Sequence, residues 1–191
     1  MIIENREKLL KEMVALAGFA GKEILNIRDN GLNIRQKIDK SPVTAADEAA
    51  EQLILAGLSA LTPTIPIIAE EEASKGRVSD IGCKTFWLVD PLDGTKELIN
   101  NRKEYTVNIG LIENSRPTMG VVMAPALRKC FSADVGGNAT LKTDDTEPKK
   151  ITVRRFSKND RIITVSHSHG DQEKIKNLLK NISYSRVITA G

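Results

Sequence analysis

The sequence predicts a layered mixed α/β protein, and three observations carry the prediction. Apolar residues recur at helical spacing over residues 6–27 and again over 45–58. Strand-like runs then crowd residues 86–133, and strand and helix patterns alternate from there to residue 191. The composition agrees: 40% of residues are hydrophobic, 28% charged and only 4% aromatic. That balance suits a globular domain with an aliphatic core and is too apolar for disorder.

In the first helix Leu9, Leu10, Met13, Val14, Ala17, Ala20, Ile24 and Ile27 mark the apolar face, and Asn30-Gly31 ends it. Residues 36–41 are polar and turn-like. Pro42 follows, and Thr44 is an N-cap for the second helix. Pro63 and Pro66 bracket an extended stretch, 65–69, that runs into Glu70-Glu71-Glu72. Residues 72–84 read as loop. Phe86-Trp87-Leu88-Val89 reads as a buried strand, 90–95 as a turn and 96–98 as the start of a short helix. Strands are expected over 105–112 and 119–123, joined by a turn at 114–117, and again over 129–133. Residues 142–150 read as a charged loop. Beyond them 151–154, 162–165 and 186–189 are strand-like, and 171–179 helical. Two parts are expected: 1–133, holding the site, and 134–191, the start of a second α/β part.

Net charge is +3, with basic and acidic residues interspersed, so no nucleic-acid footprint is present. A mild positive bias favours a small anionic substrate. Cys83 and Cys130 lack metal-type spacing, which predicts free thiols in a reducing cytosol. The amino terminus does not look like a signal peptide. No apolar run approaches the roughly 20 residues that span a bilayer.

The chemistry concentrates in Asp90-Pro91-Leu92-Asp93-Gly94-Thr95. An apolar strand running into two carboxylates is costly unless something offsets the charge. With Glu70 at another strand end, three acidic groups can share one place, and crowded like charges call for a cation. An all-oxygen set without His or Cys suits Mg²⁺. Gly94 and Thr95 open the following helix, where backbone N–H groups hold phosphate oxygens. The plainer alternative is two solvated turn carboxylates and a solvated Glu run. The apolar strand directly before Asp90 weighs against it.

These residues resemble the inositol monophosphatase superfamily of Mg²⁺-dependent, Li⁺-sensitive phosphatases, and within it the CysQ-type 3'(2'),5'-bisphosphate nucleotidase branch. The likeness rests on separated blocks: Asp39 to Asp47 (DKSPVTAAD), Ile68-Ala69-Glu70-Glu71, Trp87 through Glu97, Tyr105 to Ile109 and Gly120-Val121-Val122. The Thr95-Lys96-Glu97 continuation favours the nucleotidase branch. The resemblance implies a layered αβαβα sandwich of the sugar-phosphatase type. It implies metal ligation by Glu70, Asp90, Asp93 and the Leu92 carbonyl. Asp47 and Thr95 would activate the attacking water, with Glu70 also counted as catalytic. Substrate would meet Glu70, Leu92, Asp93, Gly94 and Thr95, with Thr164 and His167 on the nucleotide.

By the same resemblance the substrate is adenosine 3',5'-bisphosphate, a by-product of sulfate assimilation, and the products are AMP and phosphate. Two or three Mg²⁺ ions, a small-molecule phosphate partner, homodimers, and a cytoplasmic or peripherally inner-membrane location are also implied. Alternatives are an inositol-phosphate or fructose-1,6-bisphosphate phosphatase of the same superfamily, or a metal-binding domain with little activity. A haloacid-dehalogenase phosphatase fits less well, because Asp90 and Asp93 are separated by two residues rather than one. The family's later Gly-Ser-Ser and Trp-Asp blocks are not found before Gly191. The expectation is therefore a chain truncated at its carboxyl end, with a weakened second metal site and reduced activity.

Overall fold

The computed structural model describes residues 5–37, 41–77, 82, 84–144, 146–155, 160–166, 172–180 and 182–190. Helix α1 (Arg6–Asn30) starts at Asn5, whose side chain accepts the Lys8 N–H, and stops at Gly31, where φ is 108°. Strand β1 (Ile34–Gln36) pairs antiparallel with β2 (Pro42–Thr44). This small ribbon flanks the segment expected as a turn, where the Lys37 N–H donates to the Ser41 carbonyl at 2.9 Å and residues 38–40 lie outside the described residues. Its three-residue strands are too short and polar to show a period, and pairing alone defines them. Helix α2 (Ala45–Leu61) follows directly from Thr44, as expected.

Next come β3 (Ile67–Ala69), α3 (Glu70–Ser74), β4 (Thr85–Asp93) and α4 (Thr95–Ile99). Strands β5 (Thr106–Glu113) and β6 (Arg116–Ala124) form a hairpin. Its tip is Asn114-Ser115, both at positive φ, which matches the strands' twist. Strands β7 (Lys129–Asp134), β8 (Thr140–Thr143) and β9 (Lys149–Lys150) complete the sheet. Part of the expected charged loop over 142–150 is thus paired as β8 and β9, and 151–154 form no strand. Among the described residues the sheet order is β3-β4-β5-β6-β7-β8-β9, with β3 parallel to β4 and the rest antiparallel.

One sheet face is covered by α1 and α2. Alternating residues Trp87, Val89, Val107, Ile109, Leu111 and Val121 meet Met13, Ala17, Ile24, Ala50, Ile54 and Leu58 in one buried core. Trp87 is fully buried and its indole N–H donates to Thr62 Oγ1 at 2.8 Å. Cys130 is a buried free thiol, and Cys83 lies outside the described residues. At the other end of α1, Arg6 donates to Asp134 and Glu113 and ties the helix to β5 and β7.

The chain divides into two compact units, Met1–Ile151 and Thr152–Gly191. The second is a β-α-β piece: β10 (Ile162–Ser166), α5 (Gln172–Leu179) and β11 (Arg186–Ala190), its strands parallel. The first therefore extends past residue 133, because β8 and β9 continue its sheet. No described helix is long and apolar enough to cross a membrane.

Candidate metal and phosphate site

The strand β4 does not give way to a turn at Asp90. It stays paired to β5 through Asp93, with a shift of register between the two aspartates. Residues three apart on a regular strand point to opposite faces. Here Asp90 pairs with Asn108 and Asp93 with Thr106, two residues apart on β5. The bulge adds the missing residue, so both carboxylates leave the same face. Asp90 Oδ1 accepts the Leu92 N–H at 3.2 Å, which steadies the bulge. The chain then swings at Gly94, with φ at 95°. A Cβ there would sit 2.9 Å from the Glu104 carbonyl oxygen, so glycine is required twice over. Thr95 begins α4, whose ladder opens with Leu98 N–H on the Gly94 carbonyl at 3.1 Å. Amides before that point have no acceptor on their own helix.

Asp47 is 1% exposed and serves two neighbours. Its Oδ2 accepts from both the backbone N–H and the hydroxyl of Thr44, each at 2.7 Å. With the Thr44 hydroxyl accepting the Ala46 N–H, this is a capping box at the start of α2. Its Oδ1 lies 2.8 Å from the Thr95 hydroxyl, which is also 3.2 Å from the Leu92 carbonyl. Burial pushes the Asp47 carboxyl up, against donation from Thr44 and Thr95. The pairing of Asp47 with Thr95 leaves the hydroxyl's lone pairs able to accept from a water.

Glu70 opens α3, next to β4's end, and half of its side chain is exposed. Its negative charge bears on Asp90. Burial first, then the charges of Glu70 and Asp93, push the Asp90 carboxyl up to about 7. Lys37 stands beside them, its ammonium 2.7 Å from both Glu70 and Glu71. Burial works against that ammonium, but the two glutamates outweigh it and hold its pKa above the ordinary lysine range. Among the described residues, no three His, Cys, Asp or Glu side chains are already gathered in ligand geometry. The donor set nonetheless fits a hard divalent cation. Every group is oxygen, and a cation would offset both the burial and the neighbouring charges that push the Asp90 carboxyl up.

The structure thus brings together Asp47, Thr95, Leu92, Gly94, Asp90, Asp93 and Glu70. Thr164 lies on β10 in the second unit, exposed and paired with Ile188. His167 lies outside the described residues, as does Asp39 of the amino-terminal block. The sequence reading passed over Lys37, Glu51 and Glu71. It took Glu70 to Glu72 as one group, yet Glu71 is 2% exposed. For Glu51 a signal existed: it follows Asp47 by four residues, on the same face of α2.

Fold and site together define a mixed α/β protein with an oxygen-donor, anion-receptive turn at the end of a sheet strand. The chain belongs to the inositol monophosphatase family, whose model matches residues 5–191. It is 38% identical over 185 residues to the 3'(2'),5'-bisphosphate nucleotidase CysQ of Escherichia coli O157:H7, covering 96% of this chain and 73% of that protein. The CysQ structure from Bacteroides thetaiotaomicron superposes with a TM-score of 0.71 at 29% identity, over 95% of this chain and 72% of that one. The Thermotoga maritima IMPase shares the fold with a TM-score of 0.80 at 21% identity, over 96% of this chain and 68% of that one.

Proposed function

We propose that this chain is a Mg²⁺-dependent phosphatase that removes the 3'-phosphate of adenosine 3',5'-bisphosphate, leaving AMP and phosphate. The observation that carries the reading is the 2.8 Å contact between Thr95 Oγ1 and Asp47 Oδ1, beside the carboxylates of β4 and α3. Identity of 38% to a CysQ nucleotidase supports the choice of substrate class.

Glu70, Asp90, Asp93 and the Leu92 carbonyl are the proposed metal holders. When bound there, Mg²⁺ supplies charge neutralisation for the phosphate and a more acidic water. The chain's own residues do the rest. Gly94 and Thr95 present the opening amides of α4 to phosphate oxygens. The Thr95 hydroxyl donates to Asp47 and accepts from the attacking water, orienting its lone pair towards phosphorus. As attack proceeds, the water proton passes to the hydroxyl oxygen and the hydroxyl proton to Asp47, while the bond from phosphorus to the ribose 3'-oxygen breaks and that oxygen takes a proton from solvent water. Burial, by favouring the neutral carboxyl, suits Asp47 to that duty. Thr164 and His167 are proposed to touch the nucleoside. A homodimer belongs to the same reading, and sedimentation velocity tests it.

Phosphate release is measured from adenosine 3',5'-bisphosphate, an inositol phosphate and fructose 1,6-bisphosphate, with Mg²⁺ and with EDTA. Turnover is expected on the nucleotide first and only with the metal. Faster turnover on either other substrate overturns the assignment.

A further inference from the structure

Glu51 is 3% exposed and plays no part in the reaction just described. It stands one helical turn beyond Asp47, so α2 aims two carboxylates at the same region. Asp47 reaches Thr95. Glu51 reaches the start of α3: its Oε2 accepts the Glu71 N–H at 2.8 Å. The helix has no cap of its own, because the residue in the cap position is Ala69. Opening amides of a helix need acceptors, and a buried carboxylate needs donors, so each satisfies the other.

Glu70 immediately precedes Glu71 and is the first residue of α3. Fixing the Glu71 amide fixes the peptide that carries Glu70, and with it the direction in which the Glu70 side chain departs. We infer that Glu51 is a positioning residue, holding Glu70 on its metal through the start of α3 while touching neither metal nor substrate itself. The inference rests on the proposed reading of Glu70 as a ligand. Under it, one face of α2 sets both halves of the site, the water-orienting pair from position 47 and a metal ligand from position 51. Loss of outer partners of metal ligands typically weakens metal affinity roughly 10- to 100-fold.

The test uses Mn²⁺ as the probe, its free concentration read by electron paramagnetic resonance, on the full chain and four variants: E51A, E51Q, E70A and the double variant E51A/E70A. Amide hydrogen exchange at Glu71 is followed without metal. E51A should speed that exchange and weaken Mn²⁺ binding about 10-fold. E51Q, which keeps an acceptor oxygen, should stay within about threefold of wild type. The E51A effect should vanish once Glu70 is gone. A residue that merely stabilises the fold would weaken binding equally in both backgrounds, and that result overturns the inference. So does faster exchange with unchanged binding. If E51A does not fold, E51D, which withdraws the carboxylate by one methylene, takes its place in the same cycle. Failure of the wild-type chain to bind Mn²⁺ overturns the reading of the site itself, whereas sound wild-type binding with an unaffected E51A overturns this inference alone.

Discussion

Asp47 divides its oxygens between two tasks: Oδ2 closes the capping box with Thr44, and Oδ1 holds the Thr95 hydroxyl. Substitutions at the two ends of this pair should therefore differ. T95A should lower kcat about 10²- to 10⁴-fold with little effect on stability. D47N should lower kcat as far and also destabilise the fold by about 1 kcal/mol, through the weakened cap. Phosphate-release kinetics and thermal melts separate the two. Asp90 governs a pH effect. Unfolded, its carboxyl titrates near the ordinary 3.8; folded, near 7. Between those values the folded chain keeps a proton that the unfolded chain has released, so stability falls as pH rises from about 4 to about 7. D90N removes that contribution. In EDTA, its stability relative to wild type should rise across this window and level off above it. A flat difference curve in denaturant titrations would overturn the assignment of the raised carboxyl to Asp90.

At the scale of elements, the turn between β4 and α4 depends on Gly94. Alanine there meets both a positive φ and a backbone oxygen at 2.9 Å. G94A should cost about 2 kcal/mol or more and lower the melting temperature by about 4 °C or more. Long elements were legible in the sequence because their apolar period repeats several times: α1, α2 and the β5–β6 hairpin all fall where the pattern puts them. The β1–β2 ribbon and α3 were not, since three to five residues hold too little period to read. The site divides in the same way. Asp90, Asp93, Gly94 and Thr95 lie within one short string, and their spacing alone pointed to an acidic, anion-receptive turn. Lys37 and Glu51 act on α3 from 33 and 20 residues away in the chain, a proximity that only packing creates. The register shift in β4 was hidden as well, because Pro91 and Leu92 read equally well as turn residues.

For the molecule as a whole, the proposed metal ligation by the carboxylates beside β4 would couple folding to divalent cations. A ligand that binds only the folded chain at 100 times its Kd stabilises it by about 2.7 kcal/mol. The melting temperature should therefore climb with Mg²⁺ concentration, by about 5–10 °C at that excess. D93N should blunt the response, and a melting temperature indifferent to Mg²⁺ would remove the metal from the reading. The protein spans 73% of the Escherichia coli CysQ chain it matches, and within that span the sheet, α1, α2 and the strand-end turn form one continuous core.

The bulge in β4 carries a consequence for protein engineering. Where two functional side chains share a face only because of one inserted residue, chain length matters more than side-chain identity. Replacing Leu92 with another apolar residue keeps its backbone carbonyl and the facing of both aspartates. Deleting Pro91 and Leu92 together leaves Asp90 and Asp93 adjacent on an even pleat and so on opposite sides, with the β4–β5 ladder before Asp90 untouched. Such a deletion would separate foldedness from metal response in a single step, readable as a normal circular-dichroism spectrum with no Mg²⁺-dependent shift in melting.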